Sequence, residues 1–152
     1  VMLDNAKFKF WYGGGSSYID GTNKTLPVYN IRYLESNSLI NIPDKGIEVL
    51  DTIDEEHRVG RPNVLKDNEL FKMYFGFGSD KKPYQLGYAE SRDGKNWSRD
   101  DLKLGLPLSS SGWDSEMMAY PCVVKVNNKT YMFYNGNEYG KYGFGYAELV
   151  QE

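Results

Sequence analysis

The sequence concentrates its acid–base groups in one short stretch, Gly112-Trp113-Asp114-Ser115-Glu116-Met117-Met118-Ala119-Tyr120-Pro121, which runs into the apolar segment Cys122-Val123-Val124. A glutamate beside Trp113, Met117 and Met118 in a half-buried mouth has its charged form disfavoured, which suits a general acid. Asp114 is a second carboxylate for the same chemistry, or else a turn residue bonding its own backbone. A stretch of the same kind lies one repeat earlier, Asp54-Glu55-Glu56-His57-Arg58-Val59-Gly60-Arg61-Pro62-Asn63-Val64-Leu65. Counting back from the two prolines, Glu116 and His57 hold the same place, so equivalent positions carry different polar groups.

The elements that must position these groups repeat along the sequence. Phe8-Lys9-Phe10-Trp11-Tyr12-Gly13 aligns with Phe71-Lys72-Met73-Tyr74-Phe75-Gly76 and with Tyr131-Met132-Phe133-Tyr134-Asn135-Gly136. Tyr29-Asn30-Ile31-Arg32-Tyr33-Leu34-Glu35-Ser36 aligns likewise with the segments Tyr84–Ser91 and Tyr142–Leu149. The period is about 60 residues, within reach of the four-stranded units of propellers. Each unit reads as a short apolar strand after a proline, a turn such as Asp67-Asn68 or Asn127-Asn128, an aromatic strand, a Gly-rich loop, and a third strand ending near Tyr-Ala-Glu. In the second unit Asp93-Gly94 makes a further hairpin turn covered by Trp97; Gly46-Ile47-Glu48-Val49-Leu50 is the counterpart in the first.

Both alternating sets of the aromatic strands are apolar, so both faces of each small sheet are expected to be covered. The third strands set bulky residues (Tyr84, Leu86, Tyr88; Tyr142, Phe144, Tyr146) against small ones (Gly87, Ala89; Gly143, Gly145, Ala147). A bulky face meeting a smooth one is how radially arranged sheets interlock. The expected fold is all-β: a β-propeller fragment of just under three four-stranded blades, one partial domain over 1–152 with units of about 1–56, 57–115 and 116–152. An open arc leaves aromatic faces in water, so the remaining blades are expected from a longer chain or a homo-oligomer.

Composition narrows the function classes. The 152 residues carry a net charge of −3 and no Lys/Arg run, which speaks against nucleic acid and anionic membrane as partners. No apolar run approaches the roughly 20 residues of a membrane span. Thirteen Tyr, seven Phe and three Trp beside sixteen Gly favour strands and tight turns. The one cysteine, Cys122, makes no internal disulfide and is expected as a small core residue. One histidine excludes a multi-histidine metal site within the sequence, and neither a metal nor a cofactor is expected.

The aromatic strand pattern, the segment Gly87-Tyr88-Ala89-Glu90-Ser91-Arg92-Asp93-Gly94-Lys95-Asn96-Trp97 and the Trp-Asp-Ser-Glu…Tyr-Pro approach to a strand together resemble the five-bladed propellers of glycoside hydrolase families 43 and 32, the arabinanases, xylosidases and invertases. The resemblance runs from about Leu3 to Ala147. It implies acidic residues on successive inner strands facing an axial funnel, with Glu116 as general acid and carbohydrate as partner. Glycoside hydrolysis needs one carboxyl protonated and another ionised. The family sets its glutamate close before the proline, whereas four residues, Met117 to Tyr120, intervene here; the preceding unit offers His57, Arg58 and Arg61 where the family has an aspartate.

On this reading Glu116 and Asp114 are the catalytic candidates, and Trp113, His57, Arg58, Arg61, Tyr120 and Asn135 the substrate-binding ones. Trp113 offers a stacking platform for a sugar, and the arginines suit a carboxylate or phosphate on it. Glu138 and Tyr139 join Asn135 in a loop that reaches the rim. The alternatives are structural: Glu116 paired to Arg58 or Arg61, His57 a partly exposed loop residue, Trp113 packed. A non-catalytic carbohydrate-binding propeller and a structural module of a larger glycan-processing enzyme are the rival functions.

Overall fold

The computed structural model describes Val1–Val150, and the fold is built almost wholly from strands. A first antiparallel meander comprises β1 (Met2–Asp4), β2 (Lys7–Asp20), β3 (Thr25–Ser36) and β4 (Ile47–Leu50). A second comprises β5 (Glu56–Asp67), β6 (Leu70–Ser79), β7 (Gln85–Ser91) and β8 (Ser98–Arg99), followed by a 3₁₀ turn at Asp101–Leu104. A third holds β9 (Ala119–Val126), β10 (Lys129–Asn135) and β11 (Phe144–Glu148), with a short turn at Asn137–Gly140 between the last two. A parallel bridge from Tyr29 to Arg58 joins β3 to β5, so the first two meanders merge at one end.

The turns follow from residue type. Asn68, Asn127 and Asn128 take positive φ between paired strands, which asparagine tolerates better than most side chains. The turn after β7 needs glycine twice over: Gly94 has φ +78, and a Cβ there would stand 2.9 Å from the Trp11 ring. Trp11 and Trp97 both donate their indole N–H to the Gly94 carbonyl, at 2.8 and 3.1 Å. Asp93 accepts from the backbone of Asn96 and Lys95, which holds its carboxyl well below the usual carboxylate range.

The second meander is covered on both sides. Phe71, Met73, Phe75 and Ala89 pack against Trp11, Ile31 and Tyr33 of the first meander. On the opposite side Leu86, with Tyr74 and Leu65, packs against Met118, Val123, Met132 and Tyr134 of the third. The outer faces are different. Register puts Cys122, Val124, Tyr131, Phe133 and Tyr146 on one side of the third sheet, away from that core, and Tyr146 is 63% exposed. Cys122 is therefore exposed and not the core residue expected from its apolar neighbours; alternation put Val123 inward instead.

The Gly-rich loop expected after Tyr12 is also absent. β2 continues through Gly13, Gly14 and Gly15 to Asp20, paired with β3 on both sides of a bulge at Ser16. Gly14 makes room for a neighbour, since a Cβ there would lie 2.9 Å from the Arg32 side chain. The resulting long hairpin is fastened at its tip, where Thr22 donates its N–H and hydroxyl to Asp80.

One carboxylate of the first meander ties the fold to pH. The Tyr33 hydroxyl, followed by Lys7 and Lys95, outweighs burial and lowers the pKa of Glu35 from 4.5 to about 2. A depressed carboxylate contributes stability that is present above its unfolded value and lost as pH falls through the folded one. Glu35→Gln is therefore expected to flatten the loss of stability between about pH 4.5 and 2 in denaturant titrations; identical acid limbs for the two proteins would rule this out.

Candidate functional site

Two adjoining cavities lie where the three meanders meet. The larger, about 500 Å³, is walled by Pro27 and Tyr29 of β3, His57 and Arg58 of β5, Tyr84 just before β7, and Tyr120 of β9. The smaller, about 360 Å³, is bordered by Asp80, Lys82, Glu116 and Glu138. Arg58 and Tyr139 line both, so they form the shared wall. The larger volume falls in the ordinary range for small-molecule sites.

Backbone kinks bring the aromatic and cationic groups together. Arg61 and Tyr120, each directly before a proline, have φ 53 and 59. The β5–β6 register slips between Gly60 and Asn63, and the β10–β9 register slips between Phe133 and Asn135. Bulges of this sort re-aim side chains beside functional sites. Here they set the Arg61 guanidinium 4.6 Å above the Tyr120 ring. Tyr84, Tyr120 and Tyr139 stand in mutual contact at centroid separations of 6.4, 6.1 and 6.1 Å. Arg58 lies 4.3 Å over Tyr84. Burial pushes the Tyr84 phenol up against the opposing pull of Arg58, so the phenol stays protonated and able to donate at neutral pH.

His57 is 3% exposed, not a loop residue. Its Nδ1 lies 3.0 Å from the Pro27 carbonyl oxygen. A carbonyl only accepts, so Nδ1 carries the proton of the neutral ring and Nε2 is left as an acceptor. Nε2 is buried and unpartnered among the described residues.

Glu116 sits on the rim of the smaller cavity, exposed, while Met117 and Met118 turn inward and are buried. Of the neighbours expected around its carboxyl, Met117 lines the same cavity, while Trp113 and Met118 do not. Nor does Glu116 pair with Arg58 or Arg61: Arg58 donates instead to the Ser79 and Lys82 carbonyls. The loop is held by Asn137, whose side-chain oxygen accepts from the Glu116 and Met117 N–H groups at 2.9 and 3.0 Å and whose amide donates to the Gly112 carbonyl. Asn135 donates to the Tyr139 carbonyl and so fixes the Asn137–Gly140 turn.

Asp114 lines neither cavity. It is buried and accepts from the Tyr134 hydroxyl at 2.8 Å, and burial followed by this bond pushes the phenol up to about 12. Trp113 stacks one face on Tyr134 at 5.2 Å and is 37% exposed. A Cβ on Gly145 would stand 2.4 Å from its ring. Tyr134→Phe leaves a buried carboxylate short of its donor and is expected to cost about 1–3 kcal/mol of stability. Denaturant unfolding measures this, and a change near zero would mean that water replaces the phenol.

Tyr29, Tyr84 and Asn137 complete the site and were not singled out from sequence. Tyr84 has the phase of a strand residue yet lies one position outside β7. Among the described residues no group of His, Cys, Asp and Glu side chains has the arrangement of a metal site, and no helix is long and apolar enough to cross a membrane.

No protein-family model matches the sequence. It is 31% identical over 150 residues to the uncharacterised protein Rv1502 of Mycobacterium tuberculosis H37Rv, covering 98% of this chain and 49% of that protein. The chain thus spans about half the length of the curated relatives it matches. Among solved structures it is similar to the GH32 β-fructofuranosidase BmSUC1 of Bombyx mori, with a TM-score of 0.67 at 19% identity over 99% of this chain and 32% of that one. BT0996, in its complex with RGII, superposes with a TM-score of 0.66 at 18% identity, over 95% of this chain and 41% of that one. At these identities the likeness is one of fold, and the fold is the all-β, propeller-like fold of glycoside hydrolases.

Proposed function

We propose that this chain is part of a glycoside hydrolase-like propeller that binds an oligosaccharide at the paired cavities, with Glu116 as the proton donor to the leaving oxygen. The observation that carries this reading is the rim position of Glu116: exposed, without an ion pair among the described residues, and held by Asn137 in a cavity whose Arg58 and Tyr139 are shared with the tyrosine-lined one beside it. Tyrosine faces suit the C–H surface of a sugar, and the fixed phenols and guanidinium suit its hydroxyls. The three meanders are read as blades, with the base or nucleophile supplied by a carboxylate outside them. The aromatic outer face of the third meander then packs against a further blade, from a longer chain or another copy.

A non-catalytic carbohydrate-binding propeller is the second reading. It is favoured by the place equivalent to Glu116 in the second meander, which holds His57, and by the burial of Asp114 against the Tyr134 hydroxyl. Glycan-array binding followed by assay of new reducing ends separates the two. Binding with hydrolysis that depends on Glu116 supports the enzyme; binding without hydrolysis supports the second reading, and no binding refutes both.

A further inference from the structure

The two cavities differ in charge although they share a wall. In the smaller one Asp80, Glu116 and Glu138 are matched by Arg58, Lys81 and Lys82. The larger is lined by Lys24 and Arg58 and, among the described residues, by no aspartate or glutamate. Its cations are also unspent. Lys24 makes no ion pair among the described residues, although Asp80, held by Thr22, lies within electrostatic reach of it and of His57; the Arg58 guanidinium is held in place by carbonyl oxygens without meeting a carboxylate. The larger cavity thus carries unbalanced positive charge, which favours an anionic ligand there over the balanced cavity beside it.

Two residues that line this cavity carry buried polar atoms without partners: His57 Nε2, an acceptor in the tautomer that Pro27 imposes, and Arg58 Nε, a donor packed beside Gly78. Unsatisfied buried groups of this kind are uncommon, and each calls for a ligand or another account. His57 Nε2 asks for an O–H donor, and the Arg58 edge asks for an acceptor. Four tyrosines, Tyr29, Tyr84, Tyr120 and Tyr139, supply ring surface around them. One sugar residue carrying both a hydroxyl and an anionic group answers all of these demands, whereas a neutral sugar leaves the cations idle.

We propose that the larger cavity is a subsite for an anionic sugar residue, whose hydroxyl donates to His57 Nε2 and whose charged group is held by Arg58 and Lys24. This deepens the saccharide-binding reading above and rests on it. The anionic group is a carboxylate, as in a uronic acid, or a phosphate ester; both offer oxygen acceptors to a guanidinium fork and an ammonium.

The test is calorimetric or NMR titration of the protein with methyl glycosides of glucuronic and galacturonic acid, with those of glucose and galactose, and with glucose 6-phosphate. At least one charged sugar is expected to bind about tenfold or more tightly than its neutral counterpart at low salt, and the preferred anion identifies its source. Lys24 is exposed, so Lys24→Gln tests the placement without disturbing the core: the charged-to-neutral affinity ratio is expected to fall by about threefold or more. His57→Gln, at a buried position, is a second probe, read only after its unfolding transition is compared with that of the parent. Equal affinity for charged and neutral sugars would overturn the subsite while leaving the saccharide-binding function intact. An unchanged ratio in Lys24→Gln would overturn its placement, and no sugar binding at all would overturn both.

Discussion

Glu116→Gln is expected to reduce oligosaccharide hydrolysis by about 10²–10⁴-fold, the usual worth of a positioned general acid, with the melting transition unmoved. Glutamine keeps the size of the side chain but cannot deliver a proton. The loop geometry survives the change, because Asn137 grips the backbone N–H groups of Glu116 and Met117 and not the carboxyl. The exposed side chain makes no ion pair among the described residues, so little native structure depends on its charge. The pattern across substrates is more telling than the loss itself. An aryl glycoside with an acidic leaving group needs little protonation, so its turnover should fall far less than that of an unactivated sugar. Equal losses on both substrates, or none on either, would end the assignment of Glu116 as acid.

The second large effect is on stability. Arg99 lies at the end of the second meander with its side chain 8% exposed. It donates from both terminal nitrogens to Glu56, at 2.9 and 2.8 Å, and from Nε and one terminal nitrogen to Asp101. Its guanidinium also sits 4.5 Å over Phe77 and 5.1 Å over Phe75. Burial works against the charge, yet the hydrogen bonds to Glu56 and Asp101 prevail and its pKa is raised. Removing one partner from a buried ion group leaves the others uncompensated, at a cost of about 3–5 kcal/mol. Arg99→Leu is expected to lose that much in urea unfolding, and adding Glu56→Gln should restore part of it. A loss below about 1 kcal/mol would show that the group behaves as a surface ion pair.

The strands were readable because alternation and residue type agree. Phe71, Met73 and Phe75 face one core while Tyr74 and Leu86 face the other, as expected of a sheet covered on both sides. Turns carried by Asn and Asp-Gly were readable for the same local reason. What escaped the sequence depended on distant partners. The run Gly13-Gly14-Gly15 has the composition of a loop, and only its pairing with Ile31, Asn30 and Tyr29 makes it a strand. Cys122 and Val123 are both apolar, and only the pairing partner decides which faces inward.

The site divides along the same line. Arg58, Arg61, His57 and Tyr120 stood out through their spacing from the prolines, and the kinks at Arg61 and Tyr120 follow those prolines. The burial of His57 comes from a carbonyl in another meander, and that of Asp114 from a phenol on β10. Neither contact has a local signature. Asn137 has no local signature either, because it clamps a loop whose sequence lies well before it.

The Gly94 carbonyl receives two indoles, Trp11 from the first meander and Trp97 from its own. The two sheets cannot part without stranding the buried Trp11 N–H, so the pair should open as one cooperative unit. In native-state hydrogen exchange their slowest amides are expected to share a single opening free energy. The third meander is tied to the second near its first strand, through the Met118 N–H to the Tyr84 carbonyl and the Val123 N–H to Asn63. Its last strand, β11, has no buried residue, and its amides should exchange ahead of the rest.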